Sequence, residues 1–281
     1  MSRSPDGPVL ALRVVAQEAR AHRERAGMTA ADAARRLGVH TVTVLRLERG
    51  RTVPRADLLE RLMKVYGAEP RQTTGLLEQL ERARRPGWWK GYGDLVSRRL
   101  EGLLRLESEA ALSRVYAPAL VPEPLRTPGY ARQLLALRHP TADEAELDRR
   151  LELLLARQRH RGGRLWVLLE EAVLDRASAH SEAVDEQRRA LARYAAEPGL
   201  DGVTLQWIGA DAAPHPLLLN GQVDLVRHPH RLVPDHLVLR VLDAVTVTDT
   251  PERVDAYATA MDVAAQRAHE PGTPLPRLRF L

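Results

Sequence analysis

Cysteine is absent from all 281 residues. Disulfides, thiolate nucleophiles and every metal site that needs sulfur are therefore excluded. Aromatic residues make up only 4% of the chain, with Phe280 the sole phenylalanine, and Lys64 and Lys90 are the only lysines among 42 basic residues. Apolar runs fall far short of the roughly 20 residues that cross a bilayer. The first residues, MSRSPDGPVL, lack the hydrophobic core of a signal peptide. The expectation is a cytoplasmic protein with no membrane partner. The excess of Arg, Leu and Ala matches the codon usage of a GC-rich bacterial genome, so arginine content alone says little about nucleic acid.

Hydrophobic residues at 44% and charged residues at 28% suffice for one large or two ordinary folded domains. Charge is divided unevenly between them. Residues 1–85 hold 17 Lys and Arg against 10 Asp and Glu, a net of +7, which leaves −2 for residues 86–281. A basic head on a slightly acidic remainder is the pattern of a nucleic-acid reader joined to an effector or partner domain. Pro86, Gly87, Gly91 and Gly93 interrupt the helical pattern and place the joint near residue 86. The resulting division is a disordered arm over 1–8, a head over 9–85, a larger domain over 86–270 and a tail over 271–281.

The head reads as a bundle of four or five short helices. Helix formers run from Val9 to Arg25 with Gly27 as a stop, and Thr29 with Asp32 has capping-box spacing ahead of ADAARRL. Gly38 ends that second helix. A third spans TVTVLRLER to Gly50, and a fourth spans ADLLERLMKVY to Gly67. Two short helices around a glycine turn form a helix-turn-helix, whose second member enters a major groove. With Val44 and Leu47 inward, the opposite face of the third helix carries Val42, Leu45, Arg46 and Arg49.

The string GMTAADAARRLGVHTVTVLRLERG, from Gly27 to Gly50 and including its Arg46-x-Glu48-x-Gly50 ending, resembles the XRE/Cro type of lambda-repressor-like helix-turn-helix regulators. That resemblance implies DNA contacts from Thr29, Thr41, Val42, Thr43, Leu45, Arg46 and Arg49. Arg46 and Arg49 would reach guanine or phosphate, Val42 or Leu45 a thymine methyl, and the threonines the backbone. Departures exist. Leu45 stands where the family has a small polar residue, Ala30 where it has glutamine, and Ala19, His22 and Ala33 where it has core leucines. His22 itself reads as a partly exposed, hydrogen-bonded histidine without a functional role, and a head kept only as a scaffold or dimerisation element is the competing reading of the whole.

In the larger domain, Trp88, Trp89 and Tyr92 fall within five residues and read as either a latch at the joint or the wall of a ligand cleft. A helix is expected over roughly 95–116, another from Thr127 and Pro128, and a third over roughly 142–161. The segments LWVLLEEAVL, GVTLQWIG, NGQVDLVRH and LVLRVLDAVTV read as strands, SEAVDEQRRALARYA as a helix between the first two, and 251–269 as a last helix. The fold class is thus mainly α with a smaller α/β part: a lambda-repressor-like helical bundle followed by a larger α+β domain. WWKGY, LESEAALSRVY, LVPEPLRTPGYARQLL, Arg157-Gln158, LLEEAVL, Gln187 and VTLQWIG occur in an order that resembles a domain of unknown function found behind the helix-turn-helix of actinobacterial, antitoxin-like XRE regulators. That resemblance makes Trp88, Trp89, Tyr92, Tyr116, Arg126, Tyr130, Arg157, Gln158, Trp166 and His215 candidates for binding a ligand or partner. Arg126 replaces the family's glutamine and adds a charge there.

His228 and His230, with His215 and His236 nearby, lack an acidic companion at metal-site spacing and read as a solvated loop. Glu170 and Glu171 read as edge or arginine-pairing residues, not an acid–base pair. No phosphate loop, serine elbow or zinc-protease motif is present, so no catalytic residue, metal or cofactor is assigned. The pattern favours a dimeric DNA-binding transcriptional regulator over an enzyme, with double-stranded DNA and a small-molecule effector or small partner protein as partners. A cofactor-free cyclase-like enzyme that reuses the pocket is the alternative, since such chemistry needs mainly a shaped, dry cavity.

Overall fold

A computed structural model describes residues 9–50, 52–176, 181–230, 233–241 and 245–276. The expected arm over 1–8 and the last residues of the tail lie outside them. The chain divides into two compact units, the first running to Gly91 and the second holding nearly all residues from Tyr92 onward.

The first unit is built from α1 (Val9–Arg25), α2 (Ala30–Leu37), α3 (Thr41–Glu48), α4 (Ala56–Val65) and α5 (Pro70–Arg84). Short helices of this length are marginal alone and depend on burying one face. Val15 and Ala19 of α1, Ala33 and Leu37 of α2, Val44 and Leu47 of α3, Leu59, Leu62 and Met63 of α4 and Leu76 and Leu80 of α5 close into one core. Each large aliphatic side chain removed from water there contributes about 1.5–3 kcal/mol. His22 belongs inside as well: it is buried, not partly exposed. Burial, followed by the nearby Arg25, lowers its affinity for a proton, as removal from water disfavours the charged imidazolium.

The second unit is a six-stranded mixed sheet in the order β3-β2-β1-β4-β5-β6, with helices on both faces. Its strands are β1 (Leu112–Ala117), β2 (Arg164–Glu170), β3 (Val203–Ile208), β4 (Val223–Arg227), β5 (His236–Arg240) and β6 (Val245–Thr248). β1, β2 and β3 run parallel, and β4, β5 and β6 add antiparallel on the other side of β1. The helices are α6 (Arg98–Ser108), α7 (Pro128–Arg138), α8 (Glu144–Arg159), α9 (Ala172–Arg176), α10 (Glu182–Ala196) and α11 (Pro251–Ala265). Strand alternation sorts the side chains. Val115, Leu165, Val167, Leu169, Val203 and Leu205 pack with Val184 and Leu191 of α10, whereas Tyr116, Leu168, Ile208, Leu225 and Leu237 face Val254 and Met261 of α11.

The helix expected over 95–116 is instead α6 followed by β1. Ser97 caps α6 by accepting from the Leu100 N–H at 3.2 Å, and the helix stops at Ser108. Beyond it Leu112–Ala117 is hydrogen-bonded on both sides, to β2 and β4. Leu100, Leu103, Leu104, Ala110, Ala111 and Val115 fit a helical period, but pairing with strands distant in sequence decides the outcome. Likewise LWVLLEEAVL is a strand that passes into α9, and LVLRVLDAVTV is not one strand but the antiparallel pair β5 and β6, with 242–244 outside the described residues.

Candidate functional sites

In the first unit, α2 starts with a closed capping box. The Thr29 hydroxyl accepts from the Asp32 N–H at 3.1 Å and donates to Asp32 Oδ2 at 2.6 Å, while the Thr29 N–H donates to the same carboxylate at 3.1 Å. Gly38 turns the chain at φ +68° and its N–H satisfies the last carbonyls of α2, a conformation that a side chain disfavours. α3 then projects with Val44 and Leu47 buried and Val42, Arg46 and Arg49 exposed, Val42 to 54%. Thr41, Thr43 and Leu45 flank that face and are half-buried. Neither Arg46 nor Arg49 has an ion-pair partner among the described residues.

Glu48, in the last turn of α3, does not face outward. Arg23 of α1 donates from Nε to Glu48 Oε1 at 2.8 Å and from Nη2 to Oε2 at 2.9 Å, and its Nη1 donates to the Met28 carbonyl at 2.8 Å. The Tyr66 hydroxyl adds a bond to Glu48 Oε1 at 3.3 Å. Burial, then the Glu48 charge, pushes the Tyr66 phenol above its ordinary value, keeping it a donor. A bidentate, buried guanidinium–carboxylate pair fixes orientation as well as distance, so α3 is held against α1. The glutamate of the Arg-x-Glu-x-Gly ending is therefore a positioning residue.

Near the joint, Trp88–Tyr92 forms a short 3-10 helix in which the two indoles meet edge to face, their centroids 5.6 Å apart. A Cβ on Gly87 would lie 2.1 Å from the Trp89 ring, so only glycine permits that placement.

The second unit carries a network of guanidinium groups and carboxylates on the α10 side of the sheet, over its antiparallel half. Arg157 of α8 grips Glu107 of α6 with Nε and Nη2, each at 2.6 Å, and also bonds Glu123. Arg240 at the end of β5 donates to Asp224 of β4 at 2.9 and 2.8 Å and reaches Glu107 at 3.2 Å. Arg126 donates to the Val121 carbonyl at 2.8 Å. Gln158 Nε2 donates to the carbonyls of Glu123 and Arg126 at 2.7 and 2.9 Å, clamping the loop that carries both. Burial alone would raise the Glu123 carboxyl, but Arg157, Arg240, Arg126 and Arg138 together hold it far below the carboxylate range. Burial lowers the proton affinity of Arg126, and Glu123 only partly offsets this.

Above the network opens a cleft of about 480 Å³, within the size range of sites for small organic molecules. Arg99, Arg126, Arg138, Arg150, Arg157 and Arg240 line it, with Glu123 the one carboxylate among the described residues and leucines of α6, α7 and α8 as apolar lining. A smaller void of about 20 Å³ beneath it shares Glu123, Arg157 and Arg240 and touches Asp224 and Glu107. It has room for about one water.

Of the residues read from sequence in this domain, Arg126, Arg157 and Gln158 come together at the cleft. Tyr130 is buried in the core of the α10 side. Tyr116, Trp166 and His215 belong to the opposite face of the sheet, so the set forms no single site. There the Tyr116 hydroxyl donates to Glu170 at 3.0 Å, and His215 Nε2 lies 2.9 Å from the same oxygen. Trp166 Nε1 donates to Gln206 at 2.7 Å and its ring stacks under Arg114 at 4.3 Å. Glu170 thus partners Tyr116 and His215 instead of an arginine, and Glu171 accepts from the Ala210 N–H at 2.7 Å. His228 is buried edge to face with His236 and is not in a solvated loop. No group of three or more potential metal ligands occurs among the described residues.

Glu107, Glu123, Asp224, Arg240, Arg99 and Arg138 were not singled out from sequence. One signal was available: Asp224 interrupts an apolar strand, VDLV, at an inward register. A charge placed so must be paired.

Comparison with known families agrees with the two units. Residues 15–77 match a helix-turn-helix domain, and residues 100–279 match a domain of unknown function, DUF5753. No curated protein and no solved structure matches the chain. Among the described residues no helix is long and apolar enough to cross a membrane.

Proposed function

Because the chain belongs to the DUF5753 family and carries a helix-turn-helix domain ahead of that domain, we propose that it is a DNA-binding transcriptional regulator of the XRE/Cro type. It works as a cytoplasmic homodimer of actinobacterial type, and its larger domain receives a small molecule or a partner protein. The observation that carries the DNA-binding reading is the outer face of α3, where Val42, Arg46 and Arg49 are exposed and the two guanidinium groups are unpaired among the described residues. The Arg23–Glu48 pair sets that face while the head as a whole carries +7. Arg forks suit guanine edges or phosphates, an outward valine suits a thymine methyl, and half-buried Thr41 and Thr43 suit the backbone. Thr29 contributes chiefly by fixing the start of α2, since the capping box occupies its hydroxyl.

One recognition helix reads few base pairs, and two related by a two-fold axis read twice as many, which is the reason to expect a dimer. An effector bound more tightly in one conformational state shifts operator affinity by the same coupling free energy that operator exerts on effector. The test is fluorescence anisotropy with duplex from the protein's own upstream region and a scrambled duplex, across a salt series. The upstream duplex should bind at least about tenfold more tightly, and affinity should fall steeply with salt. Arg46→Ala should weaken binding and, if it removes a phosphate contact, reduce the salt slope by about one per site. Equal, feeble binding to both duplexes would overturn the reading.

A further inference from the structure

We infer that the arginine-lined cleft of the second unit binds an amphipathic organic acid, its carboxylate held by Arg126, Arg138 and Arg99 and its apolar body lying against the leucines of α6, α7 and α8. The inference rests on the reading of this domain as a receiver of small molecules and gives that ligand a chemical class.

Charge matching leads to it. Arg157 and Arg240 are satisfied by Glu107, Glu123 and Asp224. Arg150 pairs with Glu146 of its own helix at 2.5 Å. The remaining three differ. Arg126 has a single hydrogen bond, to a carbonyl, and its nearest carboxylate oxygen is 3.9 Å from Nη1. Arg99 and Arg138 line the cleft without an ion pair among the described residues. Among the described residues, setting Glu107, Glu123, Asp224 and Glu146 against the six arginines leaves two positive charges in excess at the cleft. A guanidinium that is mostly buried and poorly matched is costly unless an anion completes it, and its fork fits a carboxylate bidentately.

Much of the remaining lining is apolar. Leu95, Leu100, Leu103, Leu135, Leu153 and Val245 offer no hydrogen-bonding side chain, and beyond the charged groups only Ser97, His139 and Gln222 do among the described residues. A sugar would leave its hydroxyls against these residues, and a neutral hydrocarbon would leave the guanidinium groups uncompensated. A carboxylate on an aliphatic or aromatic body satisfies both surfaces, and 480 Å³ accommodates a body of two fused rings or a medium alkyl chain.

The test is isothermal titration calorimetry of the full chain with 2-naphthoate, with 2-naphthamide, which keeps the rings without the charge, and with acetate, which keeps the charge without the rings. Saturable one-to-one binding of 2-naphthoate is expected, with both controls at least about tenfold weaker. The exposed pair Arg99→Gln and Arg138→Gln, combined, should weaken 2-naphthoate by about tenfold or more and leave 2-naphthamide unchanged, while Arg253→Gln on α11 changes neither. Circular dichroism of each variant checks that the fold is retained. Equal affinity for acid and amide, unaltered binding in the double variant, or no saturable binding of 2-naphthoate at roughly millimolar concentration overturns the inference. None of these measurements contains DNA. Loss of operator preference with intact acid binding therefore refutes the regulator alone, and the converse refutes the cleft alone.

Discussion

Replacing Glu48 by glutamine tests how the head holds its outer face. The Glu48 side chain is 4% exposed and that of Arg23 is 12%, so the substitution strands a guanidinium that water reaches poorly. Removing one member of a buried pair costs about 3–5 kcal/mol. Arg23 keeps its bond to the Met28 carbonyl and some solvent contact, which points to the lower end, about 3 kcal/mol. For a domain of this size each kcal/mol lowers the melting temperature by about 4–8 °C, so a drop on the order of 12–24 °C is expected for the head alone. Hydrogen exchange resolved by peptide is the suitable assay, because it reports α1 to α5 separately from the sheet domain. Peptides over α1, α3 and α4 should lose protection, those over β1 to β3 should not, and duplex binding should weaken because α3 loses its anchor. The double variant Arg23→Met with Glu48→Met should recover most of the stability, since a matched apolar pair replaces a buried ion pair at little cost. A loss below about 1 kcal/mol for Glu48→Gln, or no recovery in the double variant, would show that the pair does not anchor α3.

Two further substitutions probe helix ends. Thr29→Ala removes the hydroxyl half of the capping box, leaving the backbone N–H of residue 29 on Asp32, and should cost about 1 kcal/mol in the head by chemical denaturation. Bonds from the Thr29 hydroxyl and then the Thr29 N–H hold Asp32 below the usual carboxylate range. Its contribution is therefore complete above an unfolded value of about 3.9 and lost as pH falls through the lower folded value; Thr29→Ala should flatten that acid dependence. In the second unit, burial pushes the Glu109 carboxyl up to about 7, only weakly opposed by Arg105, and it stands at the C-terminus of α6, where negative charge is disfavoured. Stability should fall as pH rises from about 4.5 to about 7. Glu109→Gln should therefore stabilise by about 2–3 kcal/mol near pH 8, a gain that vanishes near pH 4; a gain independent of pH would refute the assignment.

The head was legible from local chemistry. Thr29 with Asp32, Gly38 and Gly67 mark helix ends that depend on a few neighbouring residues, and the structure has helix boundaries beside each. Val44 and Leu47 turned inward as their spacing implied. Local chemistry could not disclose β1, whose pairing partners lie about 50 and 110 residues away in sequence. The cleft was half legible for the same reason. Arg126, Arg157 and Gln158 stood out by motif, whereas Glu107, Asp224 and Arg240 acquire meaning only when α6, β4 and β5 bring them to one place. His22 and His228 fill interior positions that the sequence does not disclose, because a histidine's presence carries no information on its depth.

The sheet changes character at β1, its parallel neighbours on one flank and its antiparallel neighbours on the other. The ionic lattice of arginines and carboxylates gathers over the antiparallel flank, where Asp224 and Arg240 anchor it, while the parallel flank packs aliphatic side chains against α10. On the reading proposed above, the charged lining that receives a ligand lies over one flank, while both flanks contribute buried aliphatic side chains to the core. Under that reading, exchanges of charge in the lining alter what the cleft admits while the buried aliphatic residues of the sheet stay in place, so a lineage of such chains diversifies its chemical inputs on a single architecture.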